Sequence, residues 1–256
     1  MDLPKVDEFV VRIKTDYCGR CSICSSICPF EALSLDPEAK EVKLDIEKCQ
    51  VCGICYSVCP AGAIESVYYD PKVLVRYLIS RMQVCESKVL VLTCRGSIPD
   101  SEDIKDITEV DSFIPLCLPC VGRASAELFL QALSLGFKRI IVIPCQQDFC
   151  HFKDGSIVSA RRISLLRSLL YQLGYDSNAI ALETYRAVAQ VDNNKCTACL
   201  TCVRVCEKYH ASLVNQTCDI EIDVSKCSGC GVCIGECPAQ AIQYKIVRGQ
   251  LVPERT

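Results

Sequence analysis

Cysteine dominates the chemistry available to this chain, with 23 cysteines among 256 residues. Sixteen of them fall into four short runs that share one spacing, C-x2-C-x2-C-x3-C. The runs read CGRCSICSSICP, CQVCGICYSVCP, CTACLTCVRVCE and CSGCGVCIGECP, and they begin at Cys18, Cys49, Cys196 and Cys227. Because thiolates are strong metal ligands, four of them crowded into so short a segment indicate a metal centre.

The spacing also indicates which metal centre. C-x2-C-x2-C-x3-C is typical of bacterial iron–sulfur proteins, in which the fourth cysteine binds the partner cluster. Zinc sites more often pair two C-x2-C units across a longer gap. We therefore expect four [4Fe–4S] clusters. Their predicted ligand sets are Cys18, Cys21, Cys24 and Cys59; Cys49, Cys52, Cys55 and Cys28; Cys196, Cys199, Cys202 and Cys237; and Cys227, Cys230, Cys233 and Cys206.

The four runs form two copies of one module, since every cysteine of the first two runs recurs 178 residues later. An alternating segment between the runs predicts a β-hairpin in each copy, and CPAGAI and CPAQAI predict a helical turn leading to a strand. Both copies resemble bacterial-type two-[4Fe–4S] ferredoxins. Glu207 follows the third run where the others have proline, and we expect this to change local geometry or potential more than cluster occupancy.

The middle of the chain has a different pattern. Four short apolar runs are typical of buried parallel strands: 89–94, 112–117, 139–145 and 179–185. Two helical patterns alternate with them, 125–136 and 159–174, and each closes on glycine. This alternation predicts a small α/β domain. Five leucines at helical spacing are expected in its core: Leu165, Leu166, Leu169, Leu170 and Leu173.

Taken together, these patterns predict a multi-domain α+β chain. Two ferredoxin-like modules, at 1–70 and 189–256, flank an α/β parallel-sheet domain at 71–188. Five further cysteines lie at or after the predicted strand ends of that domain, where such sheets keep their chemistry: Cys94, Cys117, Cys120, Cys145 and Cys150. A metal centre is the favoured interpretation, while thiol or disulfide chemistry and inert packing stay open.

Three segments of this domain carry a family resemblance: LPCVGR (118–123), PCQQDFCHFKDGS (144–156) and ARRISLLRSLLYQLG (160–174). They resemble the delta subunit of methyl-viologen-reducing hydrogenase, a [2Fe–2S] protein of methanogens and related anaerobes. That family begins with C-x2-C after a strand, whereas this chain keeps Cys94 and has Ser97 at the second position. The resemblance implies one [2Fe–2S] cluster held by Cys94, Cys120, Cys145 and Cys150. Cys117 could replace one of these ligands.

Other polar and sulfur side chains have plainer interpretations. His151 is expected to hydrogen-bond a cluster sulfide or to pack rather than to ligate, and His210 is expected at the surface. Cys85 and Cys218 fit no pattern and are expected to be structural. Four arginines either solvate a helical face or face an acidic partner: Arg123, Arg161, Arg162 and Arg167.

Composition restricts the function classes. A net charge of −3 disfavours nucleic-acid binding, and no apolar run reaches the length of a membrane span. MDLPKVDEF lacks the layout of a secretion signal, so we expect a cytoplasmic protein. The sequence contains no G-x-G-x-x-G, no P-loop and no obvious catalytic triad, which disfavours nucleotide and hydrolytic chemistry.

Five clusters in one chain of this size predict an electron-transfer protein, and no catalytic residue is predicted. The resemblance implies a subunit that links a hydrogenase or formate dehydrogenase to the flavin subunit of a heterodisulfide reductase in an anaerobic complex. Two alternatives stay open. One is an activation or maturation factor that donates low-potential electrons to another metalloenzyme. The other is a redox enzyme whose site is the middle cluster.

The predicted ligand sets fix the iron content. Four cubanes and one [2Fe–2S] cluster require about eighteen iron atoms per chain in anaerobically purified protein. Iron, acid-labile sulfide and zinc are measured against protein concentration. About four metal ions per chain with zinc among them would contradict the iron–sulfur interpretation.

Overall fold

The chain divides into two compact units, Met1–Glu183 and Thr184–Thr256. The first unit contains the first two cysteine runs and the central sheet, and the second contains the other two runs. The computed structural model describes residues 11–66, 68–95, 101–146, 150–207, 210–217 and 219–249.

Short strands frame the first two runs. β1 (Val11–Ile13) pairs antiparallel with a later strand, β4 (Ile64–Ser66). Between the runs, β2 (Leu33–Asp36) and β3 (Glu41–Leu44) form the predicted hairpin. Among the described residues, one small cluster of buried side chains supports this module: Val11, Cys24, Leu33, Val42 and Ile64.

A helix of about one turn begins inside each of these two runs. α1 (Ile23–Ser26) starts after Ser22, and α2 (Ile54–Val58) starts after Gly53. Both preceding residues have left-handed backbone, with φ of 62° and 78°. The chain therefore reverses sharply between the second and third cysteine of each run.

The middle of the first unit is a four-stranded parallel sheet, as predicted. Its strands are β5 (Val89–Cys94), β6 (Ile114–Leu118), β7 (Arg139–Ile143) and β8 (Ile180–Leu182), in the order β6-β5-β7-β8. β5 lies between β6 and β7. The chain therefore moves from β5 to a neighbour on one side, β6, and then crosses back to the neighbour on the other side, β7. The carboxyl ends of these three strands therefore border the crevice in which such sheets bind ligands.

The described part of the sheet domain has four α-helices: α3 (Pro71–Val84), α4 (Ser101–Thr108), α5 (Ala126–Ser134) and α6 (Gly155–Gln172). α5 and α6 confirm the two predicted helices, although α6 begins four residues earlier than its sequence pattern. α3 and α4 were not predicted. The start of α3 does carry a sequence signal, since Asp70 accepts a hydrogen bond from the Lys72 amide at 2.8 Å and Pro71 follows it.

The core of the sheet domain is large and apolar, and α6 contributes only part of the expected leucines. Leu166 and Leu170 are buried against the sheet. Leu165, Leu169 and Leu173 are 61%, 44% and 70% exposed, so their assignment to the core was wrong. These three follow a stripe roughly 100° around the helix from the buried pair, where no described element covers them.

The second unit repeats the ferredoxin architecture with a longer frame. β9 (Thr184–Val191) pairs antiparallel with a last strand, β12 (Ile242–Gly249), along its whole length. The predicted strand at 179–185 is therefore two strands, β8 and the start of β9, which belong to different units.

Inside this frame the second unit follows the first. The predicted hairpin forms from β10 (Ser212–Val214) and β11 (Ile220–Ile222). α7 (Thr201–Val205) and α8 (Val232–Gly235) begin inside the two runs, again after left-handed residues.

Removing iron should unfold the ferredoxin modules and leave the sheet domain folded. Among the described residues, the main buried apolar cluster has five residues in the first module and seven in the second, against nineteen in the sheet domain, so metal binding must supply much of the modules' stability. Hydrogen exchange of chelator-treated protein should show lost protection over 11–66 and 184–249, with retained protection in β5 and β7. Protection of all segments after complete iron removal would contradict this.

Candidate iron–sulfur centres

The loops that carry the four runs share one backbone conformation. In each run the residue before the second cysteine and the residue after it have positive φ. Alternation of this kind turns successive N–H groups to one side and makes a concavity that suits anionic iron–sulfur groups. Left-handed backbone at a non-glycine residue costs roughly 1–2 kcal/mol of conformational free energy. The conformation of these loops therefore needs another interaction to stabilise it. The residues are Arg20, Ser22, Val51, Gly53, Ala198, Leu200, Gly229 and Gly231.

The structure brings the fourth cysteine of one run to the loop of the other. A pocket in the first module is lined by Cys18, Cys21, Cys24 and, from the second run, Cys59. Burial raises the pKa of Cys24, and the thiolates of Cys59 and Cys18 raise it further. The corresponding pocket of the second unit is lined by Cys196, Cys199, Cys202 and Cys237.

The remaining cysteines of the first module also converge. Burial raises the pKa of Cys55 to about 12, and its neighbours Cys52, Cys49 and Cys28 add to the rise. Without metal the Cys55 thiol is protonated at neutral pH, and binding iron would displace its proton. The chemistry of this set therefore fits a cluster.

The second unit has the equivalent set. Burial raises the pKa of Cys233 to about 11, followed by the charges of Cys227 and Cys230. Cys202 and Cys206 add smaller contributions, and Cys206 is the fourth cysteine of the preceding run. In both modules, cysteines of the two runs thus lie close together, and the crossed ligand sets stay a prediction.

A backbone N–H stabilises the fourth sulfur of every run. In each case the donor is an alanine shortly after the cysteine, preceded by a left-handed residue. An N–H that points at sulfur favours the thiolate, as a metal ligand requires. The bonds run from Ala32 to Cys28 (3.4 Å), and from Ala63 to Cys59, Ala211 to Cys206 and Ala241 to Cys237 (each 3.3 Å).

The run without proline keeps this bond by changing its spacing. Ala211 is five residues after Cys206, whereas the other alanines are four residues after their cysteines. The exposed His210 takes the left-handed position, with φ of 48°, and its N–H bonds the Cys206 carbonyl at 2.8 Å. The replacement of proline by Glu207 therefore changes local geometry and preserves the sulfur's environment.

Four cysteines of the sheet domain meet at the carboxyl ends of its strands. The thiol of Cys94 is hydrogen-bonded to those of Cys120 and Cys145. Cys145 is hydrogen-bonded in turn to Cys150, so the four sulfurs form one continuous group. Cys94 and Cys120 are buried, and the other two are half-buried.

Mutual contact and burial hold three of these thiols, Cys94, Cys145 and Cys150, uncharged in the absence of metal. The hydrogen bond with Cys120, together with burial, raises the pKa of Cys94 to about 12, although Cys145 opposes the rise. Cys150 lowers the pKa of Cys145, but Cys94 and burial outweigh it and raise that pKa to about 11. Cys145 and burial raise the pKa of Cys150 above its usual range. Such a group needs a cationic partner to ionise.

Backbone donors surround the same sulfurs. The N–H of Val121 points at Cys94 and that of Gly122 at Cys120, both at 3.3 Å. In the first turn of α6, the N–H of Ser156 donates to Cys150 and its hydroxyl donates to the Cys145 carbonyl at 3.1 Å. The positive end of a helix and several N–H donors favour thiolates, so this group also fits a metal centre.

His151 contributes to the centre through its backbone, since its N–H bonds the Cys145 sulfur. Its ring is exposed and packs edge-on against Phe152, with centroids 4.7 Å apart. Cys117 is exposed on β6, on the face opposite Leu116 and Leu118. Within the described residues it takes no part in the thiol group.

Three other sequence-selected positions lie apart from the centres. Cys85 is half-buried against the core of the sheet domain, as expected of a structural cysteine. Ser97 and Cys218 lie outside the described residues. Among the described residues, no group of three or more Cys, His, Asp and Glu side chains is arranged to hold a single metal ion. A cluster is wider than one ion and needs its thiolates farther apart.

The middle centre lies directly against the first ferredoxin module. Cys52, Ile54, Cys120 and Phe152 form one buried apolar cluster. The first two residues belong to the second cysteine run, and the other two flank the middle centre. A cysteine of each centre is thus buried in the same water-excluding contact.

Two arginines hold this contact together. Arg162 donates from Nη1 to the carbonyls of Gly122 (2.9 Å) and Ala124 (2.5 Å), and from Nη2 to the Ser57 hydroxyl (2.8 Å). Arg123 is 3% exposed and reaches the first module. Their assignment to a solvated face or an acidic partner was therefore wrong.

Lys153, three residues after Cys150 of the middle centre, also forms a hydrogen bond with the first module. Lys153 Nζ donates to the Pro29 carbonyl at 2.8 Å and lies 5.2 Å from the ring of Phe30. The other two arginines are exposed on α6, where Arg167 bonds Asn178. Neither pattern nor spacing in the sequence signalled the bridging roles of Arg123, Arg162 and Lys153.

Three known family models match segments of this chain. Residues 88–200 match the family model of the methyl-viologen-reducing hydrogenase delta subunit. Residues 17–63 match a 4Fe–4S dicluster domain, and residues 220–243 match a 4Fe–4S binding domain. The chain is therefore an iron–sulfur protein in which a delta-subunit domain is flanked by 4Fe–4S domains.

Individual relatives agree with the family matches. An iron-sulfur subunit of the F420-non-reducing hydrogenase of Archaeoglobus profundus is 38% identical over 66 residues, which are 26% of this chain and 48% of that protein. One subunit of the ferredoxin/F(420)H(2)-dependent CoB-CoM heterodisulfide reductase of Methanosarcina acetivorans is 27% identical over 176 residues, 67% of this chain and 22% of that protein.

A second hydrogenase subunit matches this chain over nearly the same shares of the two proteins. An iron-sulfur subunit of the vhu F420-non-reducing hydrogenase of Methanopyrus kandleri is 29% identical over 65 residues, 25% of this chain and 49% of that protein. The chain thus matches about half the length of these hydrogenase proteins and less of the reductase protein. Among the described residues, no helix is long and apolar enough to cross a membrane.

Substituting Gly155 should disrupt the middle centre selectively. A Cβ at this first residue of α6 would overlap the Cys120 sulfur, so Gly155→Ala must displace a predicted ligand. The expected result is loss of about two irons and of the [2Fe–2S] spectrum, with the cubane signals retained. Gly235→Ala is the matched control, because a Cβ at that helical glycine meets no atom within 4 Å. Equal iron content in both variants would contradict the assignment of Cys120.

Proposed function

We propose that this chain is a non-catalytic electron-transfer subunit with four [4Fe–4S] clusters and one [2Fe–2S] cluster. The clusters supply one-electron chemistry when bound. The cubane ligand sets are those predicted from the spacing, and the middle centre uses Cys94, Cys120, Cys145 and Cys150. Two ferredoxin modules, at 1–70 and 189–256, would serve a sheet domain at 71–188.

The observation that carries this proposal is the shared burial of Cys52 and Cys120. Electron transfer between two centres needs a short, dry path, and here a ligand of each centre lies in one apolar cluster. Arg162 and Lys153 fix the two domains to each other on either side of this cluster. The chain's own residues therefore hold the second cubane site of the first module next to the middle centre.

The proposed partners follow from the relatives' names. Two relatives are iron-sulfur subunits of hydrogenases, and another belongs to a heterodisulfide reductase. We infer that this chain links a donor enzyme of the hydrogenase or formate dehydrogenase class to a flavin-containing subunit of the heterodisulfide reductase type. The 22 described cysteines form no disulfide with one another, which fits an anaerobic cytoplasm that keeps thiols reduced.

Replacing one ligand of the middle centre tests the proposal. Cys145→Ser should remove the [2Fe–2S] signal and reduce electron delivery to a flavin acceptor at least tenfold, because the middle centre is the step after the second cubane. The four cubane signals should remain. Cys117→Ser is the matched control, since this exposed cysteine lies outside the thiol group. Transfer measured by stopped-flow with a chemically reduced chain reports the rate.

Two outcomes would contradict the proposal. If Cys145→Ser keeps both its spectrum and its transfer rate, the middle centre is not part of the path. If Cys117→Ser loses the [2Fe–2S] signal, the ligand set is wrong. Loss of the cubane signals in Cys145→Ser would show that the centres are not independent sites.

A further inference from the structure

The two ferredoxin modules have equivalent second loops that face different groups. Gly53 follows Cys52, and Gly231, one repeat later at a distance of 178 residues, follows Cys230. Both glycines precede a short helix with nearly the same φ, 78° and 77°. The two loops are therefore the same backbone structure in two surroundings.

A cation covers the first loop and a neutral phenol covers the second. A Cβ at Gly53 would lie 2.9 Å from Cζ of Arg123. A Cβ at Gly231 would overlap the hydroxyl of Tyr244. A Cβ at either position would force the covering side chain to move, and glycine also adopts positive φ without strain. The space that it leaves holds a charge in one copy only.

The charge at the first loop is deeply buried. Arg123 is 3% exposed, whereas Tyr244 is 47% exposed. Nη2 of Arg123 donates to the Ser66 hydroxyl at 2.9 Å and to the Tyr68 carbonyl at 2.6 Å. Its guanidinium also lies 5.0 Å from the ring of Tyr69. These contacts fix the guanidinium against the loop.

One N–H group of this guanidinium lacks a protein acceptor. Nη1 is fully buried, and no atom of the described residues accepts a hydrogen bond from it. An unsatisfied buried donor on a charged group is costly, so an acceptor absent from the protein chain is expected there. The ionisable groups with the largest effects on Arg123 are Cys52, Tyr69, Tyr56 and Cys120. Two of them, Cys52 and Cys120, are ligands of two different predicted centres.

Other arginines do not produce the same asymmetry. Arg186 lies near the second loop, but it donates to the carbonyls of Val224 (2.9 Å) and Cys227 (2.5 Å) and is only half-buried. Water screens a charge in that position more strongly than the buried charge of Arg123. Arg162 lies near Cys120, and its donors are used by the backbone and Ser57.

We propose that Arg123 makes two otherwise equivalent cluster sites unequal. It raises the reduction potential of the site built from Cys49, Cys52, Cys55 and Cys28 above that of its counterpart, built from Cys227, Cys230, Cys233 and Cys206. The physical reason is that each added electron makes a cluster more negative, and a buried cation with a free N–H stabilises that state. An electron shared between the two sites therefore resides in the first module, beside the middle centre. This inference rests on the proposed cluster content.

Potentiometric titration of the full chain tests the inference. Anaerobically reconstituted wild type and Arg123→Gln are titrated against an electrode and followed by EPR. One cubane step should move to lower potential in Arg123→Gln by at least a tenfold change in its one-electron equilibrium constant, which is about 59 mV. Arg161→Gln, which removes an exposed arginine from α6, is the matched control and should leave every step in place. Superimposed curves for Arg123→Gln and wild type would overturn the inference.

Two further variants separate charge from other effects. Arg123→Lys keeps the charge and should shift the step less than Arg123→Gln; equal shifts would overturn a role for charge. Tyr244→Phe removes no charge and should shift nothing; a shift as large as that of Arg123→Gln would overturn the proposed cause of the asymmetry. The variants thus test the two side chains that face the equivalent glycines, Arg123 at Gly53 and Tyr244 at Gly231.

If Arg123→Gln does not fold, a milder variant provides the same test. Ser66→Ala removes one anchor of the guanidinium and should lower the same potential by a smaller amount, and an unchanged potential would overturn the inference. The iron count and the [2Fe–2S] signal of wild type are recorded in the same samples. Wild type without these signals contradicts the proposed function, whereas wild type with them and no shift in the variants contradicts only the role of Arg123.

Discussion

The buried, uncharged thiol is the state on which the rest of the structure depends. Cys55 and Cys94 have pKa values of about 12, so neither ionises at neutral pH without a cation beside it. The cysteine runs also hold residues such as Arg20 and Val51 in left-handed backbone, which costs free energy that the small module cores do not supply. Metal binding resolves both problems at once, because it ionises the sulfurs and fixes the loops.

Duplication gives this chain two copies of one module, and their surroundings make the copies different. The first module is attached to the sheet domain through Arg123, Arg162 and Lys153, and its second cluster site is deeply covered. The second module has a longer strand pair and a half-exposed tyrosine at the equivalent site. Identical ligands can therefore serve different roles, because burial and charge around a cluster tune its potential.

Much of this architecture follows from local sequence rules. The hairpins, the parallel strands and helices α5 and α6 were predicted because period, turn residues and closing glycines act over short distances. The convergence of Cys94, Cys120 and Cys145 followed from strand order at one sheet edge. Leu165 and Leu169 were wrongly assigned to the core, because helical spacing alone does not show which face of a helix packs against the rest of the domain. Arg123 and Arg162 were misread because their partners, Ser66 and Ser57, are distant in sequence.

The central claim is that the second cubane site of the first module and the middle centre are neighbours. Magnetic coupling between the two reduced centres measures this directly, through the relaxation and line shape of the [2Fe–2S] EPR signal. We predict that the signal broadens when the cubane is reduced, and that Cys52→Ala abolishes the broadening while Cys230→Ala, one repeat later, leaves it unchanged. A [2Fe–2S] signal that is insensitive to Cys52→Ala and to the cubane's redox state would contradict the account.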